Sequence, residues 1–83
     1  MIKERMKITV YTKAGDPYSD MLKNLLKYYE IKHEIIEISR NEEKLRIVQE
    51  ISGQYNTPVL KIDEKVFVGF DREKIKEVLG IKN

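Results

Sequence analysis

The chain has 83 residues, the size of one small domain, and it contains no cysteine, which excludes a disulfide framework, a thiolate metal site and an iron–sulfur cluster. Charged residues make up 36% of the sequence but leave a net charge of only +2. Because lysines and glutamates are interleaved, we predict a solvated surface and no nucleic-acid partner. The single histidine, His33, cannot hold a metal ion alone, so we predict no metal site and no cofactor.

The beginning of the sequence has no apolar stretch that could serve as a signal peptide or a membrane span. Residues Met1 to Arg5 are predicted to form a short leader. We therefore expect one domain over residues 1–83, a cytoplasmic location, no membrane partner and a monomer. The abundance of Lys, Glu and Ile is typical of heat-adapted proteins.

The first half of the chain predicts a βαβ unit. Alternating apolar residues predict a strand from about Met6 to Thr12, with apolar groups on both faces, as in the centre of a sheet. A helix from Pro17 to about Glu30 follows, and then a strand from His33 to Ser39, whose charges favour a sheet edge. The two strands should be parallel. The helix should bury one stripe of side chains: Met21, Leu22, Leu25, Leu26 and Tyr29.

A second helix and a hairpin follow. Ser39 and Glu42 have the spacing of a capping box, and the helix that they begin should end at Gly53. Strands from Val59 to Ile62 and from Lys65 to Val68 have the spacing of a β-hairpin. The inward residues of the second helix are predicted to be Leu45, Ile47, Val48 and Ile51.

A last helix completes the chain. Asp71 is placed to cap its start and Gly80 to end it. Its inward residues are predicted to be Ile75, Val78 and Leu79. The order of elements is therefore β-α-β-α-β-β-α.

The loop between the first strand and the first helix is the most distinctive stretch. Asp16 can accept the free N–H groups of the first helical turn. Pro17 follows at the first helical position, where its missing N–H costs nothing and its φ already suits a helix. Residue 16 should therefore lie at the positive end of the helix dipole, at the rim of the sheet. Taken by itself, Asp16 is a helix cap.

The segment from Tyr11 to Tyr18 resembles the active-site loop of glutaredoxins, whose pattern is Cys-Pro-Tyr-Cys, with Asp16 and Ser19 at the two cysteine positions. The resemblance covers nearly the whole chain. It implies an α/β thioredoxin fold with a four-stranded mixed sheet and three flanking helices. It also implies kinship with thiol–disulfide oxidoreductases of cell redox homeostasis.

In that family the cysteine at position 16 is the nucleophile, and a helix terminus and a nearby lysine, here Lys13, stabilise its thiolate. The cysteine at position 19 then resolves the mixed disulfide. A carboxylate and a hydroxyl cannot perform this exchange, so the resemblance implies a redox-inert chain. Either the chain is a natural relative without the sulfur atoms, or it is a cysteine-replaced variant of an active enzyme. Ser19 favours replacement, since serine is the usual substitute for cysteine, and Asp16 favours neither.

The resemblance extends to Thr57-Pro58. In glutaredoxins this proline is cis and the backbone before it pairs with a peptide or with glutathione. The residues alone favour a trans proline at the start of a strand. Gln54 matches a position that contacts the glycine carboxylate of glutathione in relatives, or it is a solvated loop residue.

The third match is Gly69-Phe70-Asp71, where relatives hold the γ-glutamyl end of glutathione at the start of the last helix. Phe70 stands where many glutaredoxins have a second glycine, so it is expected to narrow the glutathione pocket. A protein partner therefore stays an alternative to glutathione. Asp71 could instead be a simple N-cap. The candidate ligand-binding residues are Lys13, Pro17, Tyr18, Gln54, Thr57, Pro58, Gly69, Phe70 and Asp71.

The alternative from another functional class is a non-redox interaction module that uses the same groove for an extended peptide or for glutathione. A hydrolase built on Asp16 or Ser19 has little support. His33 lies far from the loop on a predicted edge strand, and nothing else there would activate the Ser19 hydroxyl.

Overall fold

A computed structural model describes residues 6–81. The predicted leader, Met1 to Arg5, lies outside the described residues. The elements in chain order are β1 (Ile8–Thr12), α1 (Pro17–Tyr28), β2 (Glu34–Glu37), α2 (Glu42–Ser52), β3 (Val59–Ile62), β4 (Lys65–Val68) and α3 (Arg72–Leu79). This order confirms the predicted β-α-β-α-β-β-α arrangement of a thioredoxin fold.

The sheet has the strand order β2-β1-β3-β4. β1 pairs in parallel with β2 and antiparallel with β3, and β4 pairs antiparallel with β3. The prediction of a central first strand and a second strand at the edge is therefore confirmed. No helix within residues 6–81 has the length and apolarity needed to cross a membrane.

Two apolar layers cover the two faces of the sheet, because successive strand residues point to opposite sides. In β3, Leu60 and Ile62 pack on the side of α1 and α3, and Val59 packs on the side of α2. The larger layer also contains Val10 of β1 and Leu22 of α1. The loops at the carboxyl ends of the parallel strands β1 and β2 are thus carried by a sheet that is packed on both faces.

Helix α2 does not begin as predicted. Asn41, not Ser39, is its N-cap, and the Asn41 side chain accepts a hydrogen bond of 2.9 Å from the backbone N–H of Lys44. The capping-box prediction is therefore wrong. Ser39 and Asn41 are both good N-cap residues. The Ser39 hydroxyl, however, accepts a hydrogen bond from the Ala14 N–H in the loop before α1.

Two helical residues that we predicted to face inward are largely exposed, namely Met21 at 49% and Ile47 at 40%. Each lies at the border of its helix's apolar stripe. Three elements are also shorter than predicted. β1 begins at Ile8, β2 covers only Glu34–Glu37, and α1 ends at Tyr28, after which Glu30 takes a left-handed conformation with a φ of 55°.

Candidate functional site

The loop between β1 and α1 turns sharply and then begins the helix at once. The Asp16 N–H donates to the Lys13 carbonyl over 3.2 Å, and Gly15 between them has a φ of +81°, a value that favours glycine. Asp16 is extended, and its Oδ1 accepts from the backbone N–H of Tyr18 over 3.0 Å. The predicted N-cap is thus confirmed, with Pro17 at the first helical position.

The other carboxylate oxygen of Asp16 joins two separate parts of the chain. Oδ2 accepts from the Ser19 hydroxyl over 2.9 Å and from the Thr57 hydroxyl. Ser19 is completely buried below the loop. Asp16 therefore ties the start of α1 to the loop before β3. Sequence reasoning used only the backbone of Thr57 and missed this side-chain contact, for which a single sequence carries no signal.

The pKa of Asp16 lies below its ordinary value of 3.8. Partial burial raises the pKa, but the hydrogen bonds from the hydroxyls of Thr57 and Ser19 and from the backbone of Tyr18 and Ser19 together outweigh burial. All of these donors stabilise the charged form. The site therefore holds a fixed negative charge at the N-terminus of α1.

The end of β2 supports the same loop. The Ala14 N–H donates to the Glu37 carboxylate and to the Ser39 hydroxyl, each over 2.9 Å. The hydrogen bond from the Ser39 hydroxyl is the main cause that lowers the pKa of Glu37. We did not predict Glu37 and Ser39 as supports of the site. A signal was present, because the carboxyl ends of parallel neighbours meet at one edge of a sheet.

Thr57-Pro58 is a cis peptide bond, as the resemblance implied. Pro58 is buried, and its carbonyl accepts from the Gly69 N–H over 2.8 Å, which joins the loop before β3 to the end of β4. Within residues 6–81 the backbone N–H and C=O of Thr57 have no hydrogen-bond partner. They form a free edge beside Asp16.

Gln54 is occupied by its own loop. Its side-chain amide donates to the Ser52 hydroxyl over 2.9 Å and to the Asn56 carbonyl over 3.3 Å, and its oxygen accepts from the Asn56 N–H. This side chain fixes the shape of the turn before Thr57.

The remaining predicted residues lie between β4 and α3 and between β1 and the first turn of α1. Asp71 is the N-cap of α3, with its Oδ1 3.2 Å from the Lys74 N–H. Phe70 is half-buried and packs against the larger core layer. Tyr18 is 56% exposed and Lys13 is half-buried.

The structure thus brings Asp16, Ser19 and Thr57 into direct contact. Asp71 makes no hydrogen bond to them within the described residues. His33 contacts the Ile31 carbonyl through Nδ1 over 2.7 Å. In residues 6–81 no three His, Cys, Asp or Glu side chains are grouped as a metal site requires.

The glutaredoxin family model matches residues 8–67, from the start of β1 into β4. The chain belongs to the glutaredoxin family. It is 37% identical over 78 residues to an uncharacterized monothiol glutaredoxin of Caenorhabditis elegans. That match covers 89% of this chain but only 53% of the relative, so the chain spans about half the length of that protein.

Solved structures agree with this family. The glutaredoxin of Archaeoglobus fulgidus superposes with a TM-score of 0.80 at 26% identity, over 88% of this chain and 85% of that one. The glutaredoxin of Methanosarcina mazei gives a TM-score of 0.78 at 26% identity, over 90% of this chain and 79% of that one. The expected cytoplasmic location, monomeric state and heat adaptation stay predictions.

Proposed function

We propose that this glutaredoxin-family chain carries out no thiol–disulfide exchange and binds an extended peptide noncovalently at Thr57. The observation behind the proposal is the Asp16 carboxylate, which stands at the family's nucleophile position and is held there by the hydroxyls of Ser19 and Thr57. A carboxylate cannot form a mixed disulfide, and exchange requires a thiolate that attacks a disulfide sulfur. The proposal is the same for a natural relative and for a cysteine-replaced variant.

The free backbone of Thr57 supports a peptide as the ligand. Its N–H and C=O have no partner within residues 6–81. An extended peptide can satisfy both groups with its own backbone, as in the addition of a strand to a sheet edge. Such pairing needs no side-chain chemistry, and the hydroxyl bond to Asp16 keeps Thr57 in place.

The charges and contacts at the Thr57 site favour a neutral peptide over glutathione as the ligand. Glutathione has a net negative charge, and the Asp16 carboxylate offsets the positive helix terminus that would attract it. The Gln54 amide is already bound to Ser52 and Asn56. The groups that could still bind the carboxylates of glutathione are the Lys13 ammonium and the first backbone N–H groups of α3, next to Asp71. We therefore expect a Kd for glutathione of about 1 mM or weaker, near −4 kcal/mol.

Titration of the ¹⁵N-labelled chain with the blocked peptide acetyl-Ala-Val-Ala-amide tests the proposal. We expect the amides of Tyr18, Thr57 and Gly69 to shift together. The matched control is the same peptide with an N-methylated valine, which lacks the N–H that pairs with the Thr57 carbonyl, so it should bind more weakly.

Shifts confined to the opposite face of the sheet, or no shifts at about 20 mM peptide, would rule out binding at Thr57 at any useful strength. Equal shifts with the N-methylated peptide would show that backbone pairing does not hold the ligand.

A further inference from the structure

A second candidate surface lies between α1 and the start of α3. One stripe of α1, which runs from the core to the surface, carries Tyr18, Met21, Leu25 and Tyr28 at helical spacing. Of these, Leu25 is buried, whereas Met21 is 49% and Tyr28 78% exposed. Core packing therefore accounts for Leu25 and does not account for the exposed members of the stripe.

Across from this stripe lies the start of α3, and the two helices enclose a groove of about 540 Å³. We call it the α1–α3 groove. Its lining residues include Met21, Asn24, Tyr28, Tyr29, Phe70 and Arg72. Only Phe70 belongs also to the predicted ligand-binding residues. Grooves lined by aromatic and thioether side chains with a polar rim are typical of protein interaction sites.

Two tyrosines form an aromatic wall of the groove, Tyr28 exposed and Tyr29 half-buried against the core. The rings of Tyr28 and Tyr29 pack edge to face, with centroids 4.9 Å apart and an interplanar angle of 89°. Exposed rings that are held in this way offer a large contact area at a small entropic cost.

The charge of the groove is positive. Arg72 lines it, and within residues 6–81 no Asp or Glu does. Asp20, the acidic residue in the first turn of α1, forms an ion pair with Lys23 over 3.3 Å.

Arg72 has no evident role in the stability of α3. It is the first residue of the helix, where the dipole disfavours a cation. The N-cap of α3 is Asp71. A cation at this position instead complements a carboxylate that approaches the groove from outside.

We propose that the α1–α3 groove docks an acidic protein segment in which a large apolar side chain lies next to a carboxylate. The apolar side chain packs against Met21 and Tyr28, and the carboxylate pairs with Arg72. This inference goes beyond the proposed function and does not depend on it, because it uses neither the Thr57 backbone nor Asp16.

The test is a titration of the ¹⁵N-labelled chain with acetyl-Asp-Phe-Asp-Leu-amide, followed at the amides of Met21, Tyr28 and Arg72. Matched peptides carry asparagine or lysine in place of both aspartates. We expect the acidic peptide to bind roughly two- to fivefold more tightly than the asparagine peptide, the range of one exposed ion pair. The lysine peptide should bind most weakly.

Two variants locate the contact. Arg72→Gln should remove the preference for the acidic peptide without lowering the stability of α3, and Tyr28→Ala should weaken all three peptides. Arg46→Gln and Ile47→Ala change an exposed cation and an exposed apolar residue of α2, so they should leave the titration unchanged.

Several outcomes would overturn the inference. Shifts at Thr57 and Gly69 alone would support the proposed function and refute docking in the α1–α3 groove. Equal binding of the three peptides would refute an acidic partner. Shifts of the same amides with protein concentration, in the absence of peptide, would mean that a second copy of the chain occupies the groove.

Discussion

The double change Asp16→Cys and Ser19→Cys should give the chain the disulfide-reductase activity that we propose it does not have as sequenced. The glutaredoxin frame is present, and position 16 lies at the N-terminus of α1. The Thr57 hydroxyl, which now donates to Asp16, would donate to a thiolate at the same place. These effects should lower the pKa of the new thiol below the free value of about 8.5. The thiol at position 16 would attack a substrate disulfide, and a cysteine at position 19, one helical turn further on, would then attack the mixed disulfide, close the disulfide within the chain and release the substrate thiol.

The single variants separate the two roles. Asp16→Cys alone should attack glutathione disulfide, form a mixed disulfide with one glutathione and release the other as a thiol, but it cannot resolve that mixed disulfide within the chain. Ser19→Cys alone should react slowly, because Ser19 is completely buried.

Asp71→Cys is the matched control, since it places a thiol at the N-cap of α3 without a neighbouring hydroxyl from another part of the chain. The measurements are alkylation rate against pH and reduction of a small disulfide. A thiol at position 16 that titrates like the thiol at position 71, in a double variant that folds but does not turn over, would show that the loop does not present this position as a nucleophile.

Asp16→Ala should lower the free energy of unfolding by about 2 kcal/mol near neutral pH. The lost N-cap accounts for about 1 kcal/mol. The rest arises because the buried Ser19 hydroxyl and the Thr57 hydroxyl lose their common acceptor, and an unpaired buried donor costs about 1–3 kcal/mol. Asp71→Ala is the matched control and should cost only about 0.5–1 kcal/mol, because that exposed cap has no hydroxyl partner.

The effect of Asp16→Ala should depend on pH. Because the folded-state pKa of Asp16 lies below its ordinary value of 3.8, the charged carboxylate stabilises the fold above that value. This contribution is lost as the pH falls through the folded-state pKa. Urea unfolding at about pH 7 and about pH 2 should therefore show a smaller loss in acid. Equal losses at both pH values would show that the charge of Asp16 is irrelevant to the fold.

The local features of this fold were predictable because each depends on residues close together in sequence. Asp16 before Pro17, and Gly80 after a helix, are such signals, and both helix ends lie where they were predicted. The cis bond at Pro58 was different. Its residues alone favoured trans, which is wrong, and only the resemblance to glutaredoxins favoured the cis bond that the structure has.

The contacts across the site were not predictable from this sequence. Asp16 and Thr57 are 41 positions apart, and nothing in either neighbourhood signals that their side chains meet. The choice between Ser39 and Asn41 as the cap of α2 was also open locally. It was decided by the Ala14 N–H, which binds Ser39 from another part of the fold.

The most direct test of this account is a glutathione-coupled disulfide-reduction assay on the purified chain, with the double cysteine variant as the positive control. Since the chain has no sulfur nucleophile at position 16 and no cysteine elsewhere, we predict a rate equal to the uncatalysed background. The double variant in the same assay should exceed that background. Turnover clearly above background by the unaltered chain would contradict the claim that this glutaredoxin fold is redox-inert.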